Sequence, residues 1–153
     1  MIKKVTMVMA LIAMGGVELC LAQDASHDYG YKQAPQPKPV RRYCQTLQLK
    51  NDPDLIAEYE KWHQSENIWK EITDGLMEVG VIDSEIYRHG TLLVMILTVP
   101  ADFDFQVQMG KLAQLSRQAE WEEFMSKYQA SDPNAASSEK WVQMKRIFKL
   151  AGE

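Results

Sequence analysis

The stretch Leu92–Val99, LLVMILTV, is apolar at every position but Thr98. Such a run suits a strand covered on both faces or lying centrally in a sheet. Pro100 ends it. His89-Gly90, just before it, is a hairpin turn signal, and Val81–Arg88 reads as the partner strand. A buried hairpin in mid-chain needs further elements on its flanks and faces.

Those elements are legible on both sides. In Arg41–Lys50 (RRYCQTLQLK), Tyr43, Gln45, Leu47 and Leu49 fall on one face of a strand. Asn51-Asp52-Pro53-Asp54 supplies capping residues and a proline suited to a helix start. Leu55, Tyr59 and Trp62 then recur at helical spacing. Gln64–Asn67 interrupts the pattern, and Ile68, Ile72, Leu76 and Val79 resume it as a second helical piece that Gly80 stops. After Pro100, Phe105, Met109, Leu112 and Leu115 have helical spacing, and Trp121, Phe124, Met125 and Tyr128 mark another helical segment. Ser131–Ser138 reads as a loop. Trp141–Leu150 reads as a closing strand with Val142, Met144, Phe148 and Leu150 on one face. The order is β-α-β-β-α-β. It predicts an α+β fold of the ferredoxin-like kind, an antiparallel sheet with helices on one side.

The first 40 residues stand outside that pattern. Lys3 and Lys4 precede an uncharged, mostly apolar stretch, Val5–Val17, too short for a comfortable membrane span, and Cys20-Leu-Ala22 places small residues at cleavage-site positions. Residues 1–22 therefore read as a signal peptide cut after Ala22, and the mature protein as exported, without a membrane span. Lipidation at Cys20 is the less favoured alternative, because Leu19 and Glu18 precede that cysteine. Residues 23–40 are rich in Pro, Gln and small polar residues and read as a disordered linker. The domain is expected over residues 41–150. Once Cys20 is removed, Cys44 has no intramolecular disulfide partner, and a small buried hydrophobe is its default role.

Composition excludes several classes. A formal charge of −4 with scattered Lys and Arg argues against nucleic acid. The three histidines, His27, His63 and His89, fall in the linker, a helix and a turn, with no metal-ligand spacing among them. No metal site and no cofactor are expected. Phosphate-binding glycine patterns and a Gly-x-Ser-x-Gly elbow are absent from the sequence.

Proton transfer is the chemistry left. Tyr59 and His63 in YEKWH lie one helical turn apart, on one face. Histidine gives and takes protons near neutral pH, and a tyrosine hydroxyl bonds to a bound hydroxyl. Trp62, Trp69 and Trp121 offer flat apolar surface of the kind sugar rings stack on. Spacing alone leaves two readings open, and a histidine beside tryptophan on an amphipathic helix is more often structural.

Over residues 41–150 the chain resembles the L-rhamnose mutarotase family. The resemblance rests on EYEKWH at Glu58–His63, IWKEI at Ile68–Ile72, EIY at Glu85–Tyr87, EWEEFM at Glu120–Met125, SDPNAASSE at Ser131–Glu139 and IFKL at Ile147–Leu150, in that order. It implies a homodimer of the dimeric α+β barrel type and an isomerase that interconverts the α and β anomers of a 6-deoxy-L-sugar. It makes His63 the general acid/base, and Tyr59 and Trp121 sugar-binding residues. Trp69, Ser84 and Glu122 join them as candidate substrate contacts. The family pattern has a tyrosine where Ser84 stands and a second tryptophan where Glu122 stands, and two extra residues separate His63 from Trp69. These departures fall on the sugar-contacting half, so L-fucose competes with L-rhamnose as substrate. Two other functions fit the same order of elements: an exported carbohydrate-binding module without catalysis, and a dimeric α+β barrel monooxygenase acting on an apolar substrate.

Overall fold

The computed structural model describes residues 30–132, 135 and 137–151. The proposed signal segment and residues 23–29 of the linker lie outside the described residues. Residues 30–39 form neither helix nor strand, and Val40, placed in the linker by composition, already belongs to the first strand. The elements are β1 (Val40–Gln48), α1 (Pro53–Trp62), α2 (Lys70–Glu78), β2 (Asp83–His89), β3 (Leu92–Pro100), α3 (Phe105–Leu112), α4 (Gln118–Ser126), α5 (Ser137–Lys140) and β4 (Val142–Gln143). The sheet is antiparallel with strand order β2-β3-β1-β4. This is the ferredoxin-like arrangement expected from the alternation of elements.

The apolar run is the interior strand β3, paired with β2 on one side and β1 on the other. Register puts Leu93 opposite Leu47 and Leu97 opposite Tyr43, so the odd-numbered residues of both strands share one face. Helices cover that face in two patches. Leu47, Leu49 and Leu93 pack with Tyr59, Ile72, Trp121, Met125 and Tyr128. Leu97 and Val99 pack with Val79, Val81 and Phe103. Leu93 and Leu97 are four residues apart, which separates the patches by roughly 13 Å along the strand.

Local signals set the helix ends. The carboxylate of Asp52 accepts hydrogen bonds from the backbone N–H of Asp54 (3.0 Å) and Leu55 (3.2 Å), and Pro53 opens α1. Gly80 follows α2 at φ 93°, a conformation that only glycine adopts without strain. Gly90, at φ 59°, turns β2 into β3.

Three sequence expectations are corrected. The strand expected from Val81 begins at Asp83. The N–H of Val81 instead donates to the Leu76 carbonyl (3.0 Å) and closes α2, and its side chain is buried. The loop expected over Ser131–Ser138 ends two residues early, where the short helix α5 begins at Ser137. The closing strand expected over Trp141–Leu150 shrinks to Val142–Gln143. Its last ladder contact is the N–H of Met144 on the Cys44 carbonyl (2.7 Å). Continuing the register by two residues would set Arg146 opposite Arg42, a like-charge pair that disfavours the ladder. Ile147, Phe148 and Leu150 are exposed instead. Cys44 itself is half-buried on the sheet face away from the helices, with its thiol 3.6 Å from the Met144 sulfur.

Candidate functional site

The expected catalytic helix face forms where α1 ends. His63 is the residue after Trp62 that closes α1, and its own N–H donates to the Glu60 carbonyl (3.1 Å). Its ring nitrogen Nδ1 lies 2.9 Å from the carbonyl oxygen of Tyr59. A carbonyl only accepts, so Nδ1 carries the proton and donates it. This fixes the tautomer of the neutral ring and leaves Nε2 with a free lone pair. Burial lowers the pKa of His63 below its ordinary value, and the bond to Tyr59 offsets only part of that fall. At neutral pH the ring is a base.

Aromatic rings hold it in place. Tyr59 stacks on the imidazole with centroids 4.1 Å apart, and Trp121 meets it edge-on at 5.6 Å. Tyr59 is 3% exposed and Trp121 7%. The Tyr59 hydroxyl is pushed above its ordinary pKa, first by burial and then by the negative charge of Glu122, so it stays protonated and can donate.

Trp69 belongs to the same group, but its ring is taken up by protein. Arg117 lies over it at 4.0 Å, Phe124 stacks at 5.5 Å, and Trp121 meets it at 5.2 Å. Its place is behind Trp121, as a brace. Arg117 also pairs with Glu71 on α2 (3.5 Å) and Glu120 on α4 (3.2 Å), which ties the starts of the two helices together.

Glu122 follows Trp121 on α4, and its carboxylate lies 3.9 Å from the ammonium of Lys140. Lys140 was not singled out in the sequence. A lysine beside a polar loop reads as solvated, yet this side chain is 3% exposed. The only hint is its neighbour Trp141, which packs against the first core patch.

Ser84 is not brought to this group. It lies exposed on β2 opposite Leu97, over the second core patch, whereas His63 sits over the first. Among the described residues no cluster of His, Cys, Asp and Glu is arranged to hold a metal ion, and no helix is long and apolar enough to cross a membrane.

A half-buried neutral histidine of fixed tautomer, a protonated tyrosine and a carboxylate–ammonium pair beside two tryptophans can pass protons to and from a hydroxylated ligand. Comparison with known proteins agrees. A family model described as L-rhamnose mutarotase matches residues 42–150. The chain belongs to the L-rhamnose mutarotase family. As a member of it, the protein is a sugar mutarotase, an isomerase. A protein of Xanthomonas campestris pv. campestris, named L-fucose mutarotase, is 38% identical over 112 residues, covering 73% of this chain and 90% of its own. A protein of Dictyostelium discoideum is 37% identical over 114 residues, covering 72% of this chain and 90% of its own. The crystal structure of an L-rhamnose mutarotase from Formosa agariphila superposes with a TM-score of 0.54 at 18% identity, over 72% of this chain and 99% of that one, a likeness of fold.

Proposed function

We propose that this mutarotase exchanges the α and β anomers of a 6-deoxy-L-sugar, L-rhamnose or L-fucose, at His63. The observation that carries the reading is the Nδ1–H bond to the Tyr59 carbonyl, which leaves Nε2 as a base beside the rings of Tyr59 and Trp121. In the forward step Nε2 takes the proton of the anomeric hydroxyl. The C1–O1 bond becomes a carbonyl, the bond from C1 to the ring oxygen breaks, and the ring oxygen takes up a proton from water, to which the imidazolium returns the proton it took. Rotation about C1–C2 presents the other face of the aldehyde, and the reverse step closes the ring. Tyr59 donates a hydrogen bond to a sugar oxygen, Trp121 offers apolar edge to the ring, and Glu122 accepts from a hydroxyl. No cofactor enters the scheme.

Saturation-transfer NMR on L-rhamnose and L-fucose tests it. Wild-type protein accelerates exchange of at least one of them, and His63→Ala loses the acceleration while keeping its circular dichroism. Saturable sugar binding without acceleration would favour the non-catalytic module instead. The polar groups beside His63 speak against the monooxygenase reading.

Two further parts of the proposal concern assembly and place. The sheet face away from the helices carries Cys44, Tyr87, Leu92, Val94 and Ile96, all half-buried, beside the exposed Met144. An apolar face of this kind supports a homodimer, and light scattering at two concentrations tests it. The charged and apolar pattern of residues 1–22 supports export through a cleaved signal peptide, and the N-terminal sequence of the exported protein tests it.

A further inference from the structure

Lys140 has an unusual position for a lysine. It ends α5, and its side chain is 3% exposed. The nearest charge is the Glu122 carboxylate at 3.9 Å, about 1 Å beyond a direct charge-assisted bond. Only the lysine is out of water, since the Glu122 side chain is 36% exposed, and a pair kept for stability would close to contact around that desolvated charge. The open pair is also held in place from both sides. Trp141, next to Lys140, donates its N–H to the Ser137 carbonyl (2.9 Å) and accepts from the Gln45 amide (3.4 Å), which fixes the backbone at Lys140. Glu122 is fixed on α4 by the buried neighbours Trp121 and Met125.

A gap of 3.9 Å suits a single hydroxyl oxygen. Placed about 2.8 Å from both atoms, it accepts from the ammonium and donates to the carboxylate, with an angle of roughly 90° at the oxygen. A bridging hydroxyl satisfies both charges at once.

We propose that Lys140 and Glu122 form the specificity-determining wall of the sugar site, bridged by one hydroxyl of the bound monosaccharide. The proposal rests on the mutarotase reading of the His63 pocket and adds a residue and a mode of recognition to it. The chemical class recognised is a polyhydroxylated ring with a hydroxyl at the bridging position. A stereoisomer with that hydroxyl turned away leaves the buried ammonium without the bridging oxygen, so epimers are discriminated.

The test compares wild type, Lys140→Met, Glu122→Gln and the double variant in anomer exchange of L-rhamnose and L-fucose by saturation-transfer NMR over a range of sugar concentrations. For the preferred sugar, each single variant raises KM about tenfold or more, with a smaller fall in kcat, and narrows the preference between the two sugars. The double variant is no worse than the poorer single by more than about twofold, because one hydroxyl serves both groups. If Lys140→Met does not fold by circular dichroism, Lys140→Gln, which keeps polarity and loses charge, carries the same comparison. Wild type that accelerates neither sugar removes the mutarotase reading and this proposal together. An active wild type with unchanged KM and unchanged sugar preference in the folded variants overturns the proposal alone, as does a double variant whose losses are additive.

Discussion

The imidazole Nδ1 of His63 donates to the backbone carbonyl of Tyr59, 2.9 Å away and one helical turn earlier. The helix end thus supplies the tautomer of the base, with no second carboxylate needed to hold the ring. On the role proposed for His63, it also makes anomer exchange sensitive to acid in a defined direction. Burial lowers the pKa of His63 below 6.5. Exchange is therefore constant at neutral pH, and kcat/KM falls on the acid side with a midpoint below 6.5. Stability follows the same sign. The unfolded chain binds the proton more readily, so stability is full above the unfolded pKa and is lost as pH falls through the folded one. Urea unfolding at a series of pH values measures the slope in wild type, and His63→Ala flattens that part of it.

Tyr59 has two roles that one substitution separates. Its ring stacks on His63 and meets Tyr128 edge-on at 6.0 Å, whereas its hydroxyl is the donor to the sugar in the proposed scheme. Tyr59→Phe keeps both ring contacts. Exchange kinetics are expected to show KM rising by about 3- to 10-fold, the value of one neutral hydrogen bond. Unfolding free energy changes by less than about 1 kcal/mol. A fall in kcat of more than about 100-fold at unchanged KM would instead make the hydroxyl a proton donor to the ring oxygen.

Asp52 caps α1 at the end opposite His63, with its carboxylate on the N–H groups of Asp54 and Leu55. Asp52→Ala removes the cap and is expected to cost about 1 kcal/mol, lowering Tm by about 4 °C for a domain of this size. Thermal unfolding reads the loss. Exchange at 25 °C stays at the wild-type rate, because the base and its tautomer are set at the other end of the helix.

What could be read from the sequence had a period or a turn behind it. Alternation puts Tyr43, Gln45, Leu47 and Leu49 on one face; register with β3 places the first three there, and Leu49 packs in the same core patch as Leu47. Four-residue spacing put Tyr59 and His63 together, and the rings stack. What could not be read depended on pairing between distant segments. The C-terminal strand has the right alternation, but a like-charge pairing of Arg146 with Arg42 is visible only once the register of β4 on β1 is known. Lys140 is in the same position, since its burial comes from the α5 turn and from Glu122 on another helix. Trp69 and Trp121 look alike in sequence. Only packing shows that Arg117 and Phe124 occupy the ring of Trp69.

Arg117 gives the sharpest separation of backbone from side chain. It precedes α4 at φ 62°, ψ 4°, in the left-handed region, where a residue with a Cβ pays about 1 kcal/mol relative to glycine. Its guanidinium lies over Trp69 and pairs with Glu71 and Glu120. Those ion pairs are partly exposed and contribute little, while the contact with the ring is worth about 0.5–2 kcal/mol. Arg117→Ala loses the ring contact and keeps the backbone cost. Arg117→Gly loses the same contact and removes that cost. Arg117→Gly is therefore expected to be the more stable of the two by about 1 kcal/mol in urea unfolding. Both should lower kcat/KM by a similar factor, through a looser Trp69 behind Trp121. Equal stabilities would show that the turn holds no strain. Unchanged kinetics in both would show that the Trp69 brace is not needed for the pocket.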